Sequence, residues 1–342
     1  MEKTRIISID IAKAICIILV VAGHFAPDYA PDWYVVMSDL LRAFRMPFFL
    51  FISGYLHWVT RKPIKYKDFV WKKFQRLMIP YFFISVVIII IKLLTEKGLS
   101  VENPVTYSAF YEMFYFPVAG YFLWFIYALF LMFLIVPLFN TRKSLSVLLL
   151  LSLVMFFIPV SLPNVFCLAH FQVNLLYFVL GCAFSEWVNV RKVIEKTHFL
   201  VALCIFAGMY LLKIYSGVDG IEKWMELCTA FAGFVLVLNF SNRIELKTVF
   251  AKKTLLYVSV CSYTIYLFHT TFEGFAKAIV LKLPFFINNY SIQFVFLLIA
   301  LIVISAGVIL PIIVHEIIVR YSKPLSFLIG AKFTGKKNVN TI

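Results

Sequence analysis

Charge is what this sequence has least of. Only 14% of its 342 residues are Asp, Glu, Lys or Arg, against roughly 25% in a soluble protein. With 63% hydrophobic residues and a mean hydropathy of +0.93, that scarcity excludes a soluble globular domain. Cysteine is also sparse: Cys16, Cys167, Cys182, Cys204, Cys228 and Cys261 include no Cys-x-x-Cys pair. A zinc site and a disulfide framework are therefore not indicated, no metal is expected, and the cysteines read as small apolar fillers. No isolated apolar run with a cleavage site follows the start. Residues 1–5 lead directly into a spanning segment, which reads as an uncleaved first helix and not a signal peptide. Low-complexity tracts and internal repeats are missing too.

What is there is a succession of apolar runs, each near the roughly 20 residues that cross a bilayer as a helix. In lipid every backbone polar group must be satisfied within its own segment, so runs of this length read as helices. They fall at 6–25, 40–58, 77–94, 121–139, 145–160, 166–187, 199–215, 224–240, 254–271 and 292–319. The fifth and seventh are short, and 272–290 reads as re-entrant or interfacial. The fold class is all-α: a polytopic integral membrane protein of about ten transmembrane helices. Residues 1–320 form the transmembrane domain and 321–342 a basic cytoplasmic tail.

The net charge of +15 raises nucleic acid as a partner, but the placement of the charges answers the question. With the N-terminus inside, 23 of the 32 Lys and Arg fall in segments on the cytoplasmic side and four outside. Positive charge retained inside is the general rule for membrane proteins. The count supports an even number of spans with both termini cytoplasmic, in a cell (plasma or inner) membrane, and leaves nucleic-acid binding unsupported.

Charges inside the spans need a partner or a task, since each costs at least about 2.5–3.5 kcal/mol near the bilayer centre. The first helix carries Asp10, Lys13 and His24. Eleven residues at about 100° each bring Lys13 and His24 to within about 20° of one another, with His24 about 16 Å higher. Lys13 is then placed to hold a phosphate-bearing donor, and His24 to take a proton from an acceptor hydroxyl. A second reading fits the spacing equally: Asp10–Lys13 as a local ion pair and His24 as an interfacial histidine. At the head of residues 43–56, Arg42 just before them and Arg45 within them stand at the outer mouth of the second helix, either binding an anionic part of the donor or acceptor or snorkelling to headgroups. Pro47 starts or kinks that helix, and Ser53–Gly54 offers a small surface for a close neighbour. Lys72, Lys73 and Arg76 form a basic loop compatible with phosphate. Tyr263, Tyr266 and His269, spaced by three, form a polar stripe that either lines a cavity or anchors at the interface.

Taken in chain order, these stretches resemble the membrane-bound acyltransferase-3 family. Its motif places a basic residue ten intervening positions before a histidine, matched by Lys13 and His24, with an acidic residue three positions earlier, matched by Asp10. Residues 46–56 resemble its Met-Pro-aromatic…Ser-Gly-Tyr-Leu signature. Lys73, Arg76 and Pro80 resemble its basic-x-x-Arg…Pro loop, Trp124–Phe125 its Trp-Phe pair, and residues 262–269 its Ser-Tyr…Tyr-Leu-x-His ending. The lysine at 13 and the Gly-His pair look like the branch of fucose and polysaccharide O-acetylases. Two departures stand out: lysine replaces the usual arginine at 13, giving a point charge instead of a fork, and Arg45 replaces a frequent histidine.

The resemblance implies acetyl-CoA or another acyl-CoA as co-substrate, with no bound cofactor, and a polysaccharide or lipid-linked glycan as acceptor. It implies a catalytic set of His24, as general base or acyl relay, and Asp10, which orients Lys13. Lys13, Lys73, Arg76, Arg42 and Arg45 are then expected on the donor, and Trp124, Tyr263, Tyr266 and His269 on the acceptor side. The rival is a transporter or flippase of a lipid-linked sugar, which would more often show repeated halves. The oligomeric state is left open by the sequence.

Overall fold

The computed structural model describes residues 7–95, 104–188, 197–215, 222–247 and 249–335. Of the basic residues counted for topology, Lys3, Arg5, Lys97, Arg191, Lys192, Lys196, Lys336 and Lys337 lie outside the described residues, as do residues 1–5. The described chain is helical throughout, with no strand. Its helices are α1 (Ile7–Ala22), α2 (Asp32–Thr60), α3 (Tyr66–Thr95), the single turn α4 (Ala109–Glu112) and α5 (Tyr121–Leu138). There follow α6 (Arg142–Phe157), α7 (Val165–Trp187), α8 (Phe199–Tyr215), α9 (Glu222–Lys247) and α10 (Val249–Val280). The short α11 (Pro284–Asn289), the long α12 (Gln293–Tyr321) and α13 (Lys323–Leu328) complete the order.

Among the described residues, six helices are long and apolar enough to cross a membrane: α3, α5, α7, α10, α12 and residues Glu222–Glu245 of α9. The other four expected spans fall on α1, α2, α6 and α8. Helix α6 has 16 residues, about 24 Å at 1.5 Å each, short of a hydrocarbon layer of about 30 Å, while α1 begins and α8 ends at the edge of the described residues. Helix α2 has 29 residues but carries Asp32, Asp39, Arg42 and Arg45 in its first half. The segment 272–290 also divides differently from expectation: α10 runs on to Val280 before α11 begins.

Lipid tails are as apolar as these side chains, so close packing holds one helix to another. Helix α1 is central, set against α2, α9, α10 and α12, with Ile11, Ala12, Ala14, Cys16 and Val20 fully buried. Helices α2 and α7 make the closest pair, and glycine is the reason. A Cβ on Gly54 would stand 1.9 Å from Phe178 O, and one on Gly181 would stand 2.0 Å from Phe51 O. The small surface anticipated at Ser53–Gly54 is thus a backbone-to-backbone contact.

Helix α3 widens into a π turn at Phe74–Met78, where the Ile79 N–H bonds to Phe74 O. Pro80 explains the widening: it has no N–H to give the carbonyl of Arg76 and its ring crowds that oxygen. The chain after α12 folds back onto this turn. Ile329 is fully buried, and Gly330, at φ +67°, lies so close that a Cβ would be 2.9 Å from Arg76 O.

Candidate functional site

A vestibule of about 1180 Å³ opens among α1, α2, α3, α5 and α10. Its cations are Lys13, Arg61, Lys62, Lys72, Lys73 and Arg76, and among the described residues no acidic side chain lines it. Local structure aims these groups. The π turn carries Arg76, and π turns recur at functional sites. Lys73 Nζ rests 3.5 Å from the ring centre of Phe133, a cation–π seat that keeps an ammonium on an apolar wall. Arg61 lies 3.7 Å over the Trp58 ring, and Glu186 ties this end together by accepting from Trp58 Nε1 at 2.7 Å and Arg142 Nε at 2.6 Å. A concave basic chamber with an apolar inner wall fits a ligand whose one end is phosphorylated and whose other end is not.

The second feature lies beyond the upper end of α1. That helix closes with Gly23 N–H to Leu19 O at 3.1 Å and His24 N–H to Val21 O at 2.9 Å. The tightening from four-residue to three-residue bonds turns His24 off the stripe expected from a regular helix. Its imidazole lies 4.9 Å, centre to centre, from that of His269 on α10, and 6.2 Å from the Phe122 ring. His24 is exposed, whereas His269 is fully buried.

Arg45 completes this cluster. Its side chain is 6% exposed, and its Nη1 occupies the space above Gly23, 1.2 Å from where a Cβ would stand. Nη1 reaches Leu19 O at 3.5 Å, and the buried Nε has no hydrogen-bond partner. A guanidinium held beside the histidine pair with donor capacity to spare can meet negative charge developing on an oxygen.

Phe122 and Tyr266 separate the two features. The Tyr266 hydroxyl donates to Phe122 O, and the rings stand 5.7 Å apart. Tyr266 lines the vestibule, while Phe122 touches His269 at 5.2 Å on its other side. The vestibule reaches up α1 only to Ile17.

The expected site residues therefore divide. Lys13, Lys73, Arg76, Tyr263 and Tyr266 line the vestibule together. His24, His269 and Arg45 gather beyond the partition. Arg42 lies outside both, 3.4 Å from Asp39 with both side chains exposed, and the partly buried Asp10 does not line the vestibule. Trp124 stacks on His170 at 4.4 Å, two residues along from Phe122. Missed in the sequence were Phe122, the seat that Gly23 gives to Arg45, and the place of Arg61 and Lys62 on the vestibule wall. Those two cations counted only toward topology, and the glycine before His24 was the one usable signal. A separate group, Cys261, His315 and Glu316, brings three possible ligand atoms within 4.8 Å. Glu316 already accepts from Arg320 at 2.7 Å and His315 Nδ1 meets Thr264 at 2.8 Å.

No curated protein and no solved structure matches the chain. An acyltransferase domain family does, over residues 6–312, which covers α1 with its histidine, the vestibule, the partition and His269. The chain belongs to this acyltransferase-3 family and is a multi-pass membrane acyltransferase.

Proposed function

We propose that the protein is an O-acyltransferase that takes an acyl group, most simply acetyl, from acyl-CoA and passes it to a hydroxyl of a cell-surface or lipid-linked carbohydrate. The carrying observation is that α1 joins the basic vestibule, through Lys13, to the His24–His269 pair above the partition. Six cations, with no carboxylate among the described lining residues, suit the phosphates of coenzyme A, and the apolar wall of Phe125, Leu129 and Phe133 suits its pantetheine arm. In this reading the basic end faces the cytoplasm of a plasma or inner membrane, both termini lie inside, and α1, α2, α6 and α8 complete ten crossings beside the six longer apolar helices, the bilayer thinning where a span is short.

In the transfer step, the acceptor hydroxyl oxygen attacks the thioester carbonyl carbon while His24 takes the hydroxyl proton. Arg45 faces the negative oxygen of the tetrahedral intermediate. The C–S bond then breaks, the ester remains on the sugar, and the departing sulfur receives the proton from His24. The Phe122–Tyr266 partition keeps water away from the thioester until the acyl group is presented.

The test uses purified protein in proteoliposomes with radiolabelled acetyl-CoA on the basic face and glycan in the lumen. Label on the glycan, lost in His24→Ala that still elutes as folded protein, is the expected result. Glycan movement without label would replace the enzyme with a carrier.

A further inference from the structure

His269 is fully buried and its protonation can be deduced from its neighbours. Its Nδ1 lies 2.8 Å from Tyr266 O and 3.2 Å from Ile265 O. A carbonyl oxygen only accepts, so Nδ1 carries the hydrogen. In the neutral ring the lone pair is then on Nε2, and that atom is buried without a hydrogen-bond partner. A bare acceptor in a desolvated place is costly and uncommon, which raises the question of what donor it serves.

The aromatic neighbours narrow the answer. Phe122, 5.2 Å away, has no N–H or O–H. The Tyr266 hydroxyl is committed to Phe122 O. Arg45 is seated on Gly23 with Nη1 toward Leu19 O and makes no hydrogen bond to His269 Nε2, although its own Nε is free. His24 remains, with its ring centre 4.9 Å away. A linear N–H···N bond between imidazoles places ring centres about 5 Å apart, from a heavy-atom distance of about 2.9 Å plus the two ring radii. His24 is exposed and follows the end of α1, so its ring can turn, whereas His269 is pinned by two carbonyls.

We infer that His269 is the positioning partner of His24, its Nε2 accepting one ring N–H of His24 so that the other ring nitrogen is presented as the base. The inference rests on the acyl-transfer reading above. When His24 takes the hydroxyl proton, the resulting imidazolium keeps its hydrogen bond to His269. The proton itself goes from acceptor oxygen to His24 to departing sulfur and does not pass to His269. The arrangement is the orienting logic of a catalytic triad, with a tautomer-locked imidazole in place of a carboxylate.

Two measurements test it, one of which needs no turnover. In protein labelled with ¹⁵N-histidine in nanodiscs, six histidines contribute signals. One ring is expected to show a protonated Nδ1 and a scalar coupling across an N–H···N bond to a second ring, assigned as His24 by its loss in His24→Gln. No such coupling, either alone or with acetyl-CoA, overturns the inference and leaves the acyltransferase reading standing. In the transfer assay, His269→Phe, which keeps an aromatic ring in the packing, is expected to lower kcat by about 10²-fold with the KM for acetyl-CoA unchanged. His269→Gln, which retains an acceptor oxygen, is expected to recover part of the loss. Equal activity of the Phe and wild-type proteins overturns the inference. Coupled rings in a protein that transfers no acyl group to any hydroxyl would overturn the acyltransferase reading alone.

Discussion

Gly23→Ala is the most informative single change, because one methyl group reaches the site through another residue. The new Cβ would stand 1.2 Å from Arg45 Nη1 and 2.4 Å from Cζ, distances at which no two atoms coexist. What gives way is the end of a long side chain, so the backbone of α1 keeps its course and the guanidinium leaves. Arg45 then loses its contact with Leu19 O and must find room in a site where it is 6% exposed. The folding cost is about 1–3 kcal/mol, the range for over-packing and for stranding a buried polar group. The catalytic cost is separable and larger: one missing donor to the intermediate's oxygen lowers kcat by about 10²–10³, or about 2.7–4 kcal/mol. The assay is a double-mutant cycle with Arg45→Met, measuring acyl transfer and thermal stability for all four proteins. If the methyl acts only by expelling the guanidinium, Gly23→Ala has little further effect on kcat once Arg45 is gone. Additive losses, or a Gly23→Ala protein with wild-type kcat, would refute the reasoning.

Gly54→Ala meets Phe178 O at 1.9 Å, where no flexible side chain can yield, so α2 and α7 must separate. A fall in folded yield on size exclusion is expected, and a normal melting profile counts against the close pairing. Lys73→Met keeps a chain to lie over Phe133 and removes the charge that the vestibule offers to phosphate. The KM for acetyl-CoA should rise about tenfold with kcat little changed, as for a binding contact made equally in ground and transition states. Phe122→Ala opens the partition between Tyr266 and His269. Hydrolysis of acetyl-CoA without acceptor should rise relative to transfer, and an unchanged ratio would reduce Phe122 to packing.

The transmembrane class was legible because hydropathy accumulates over 20 residues and single errors average out. Lys13 and His24 were legible as a charge inside the first apolar run and a histidine at its far end. Their exact relation was not: the last turn of α1 tightens at His24, which no local residue announces. Arg45 was assigned to the donor because its spacing on α2 shows its own face and not the neighbour. Only the packing of α2 on α1 puts it over Gly23. Phe122 is one of 38 phenylalanines, and nothing in its surroundings distinguishes a partition from a filler. Tyr263, Tyr266 and His269 share a spacing of three, yet only Tyr263 and Tyr266 line the vestibule. A helix rises about 1.5 Å per residue, so the six residues from Tyr263 to His269 climb about 9 Å, from the vestibule wall to a side chain packed on Phe122.

Under the proposed function, with acyl-CoA as donor, that last geometry bears on how one bundle would use a charged donor and an acceptor from opposite sides. Phosphates cannot enter the apolar middle of the molecule without a cost of several kcal/mol per charge, so the donor must stop where the cations stop. The base cannot descend to it, since His24 is fixed at the end of α1 and His269 is held by Tyr266 O. Only the uncharged pantetheine and acyl portion can cover the distance between them. On α1 the vestibule ends at Ile17, seven residues or about 10 Å below His24, which is shorter than an extended pantetheine arm. The partition is thin for the same reason. It is one phenylalanine and one tyrosine, tied by a single hydrogen bond, which a side-chain rotation can open while the phosphates remain on the cations.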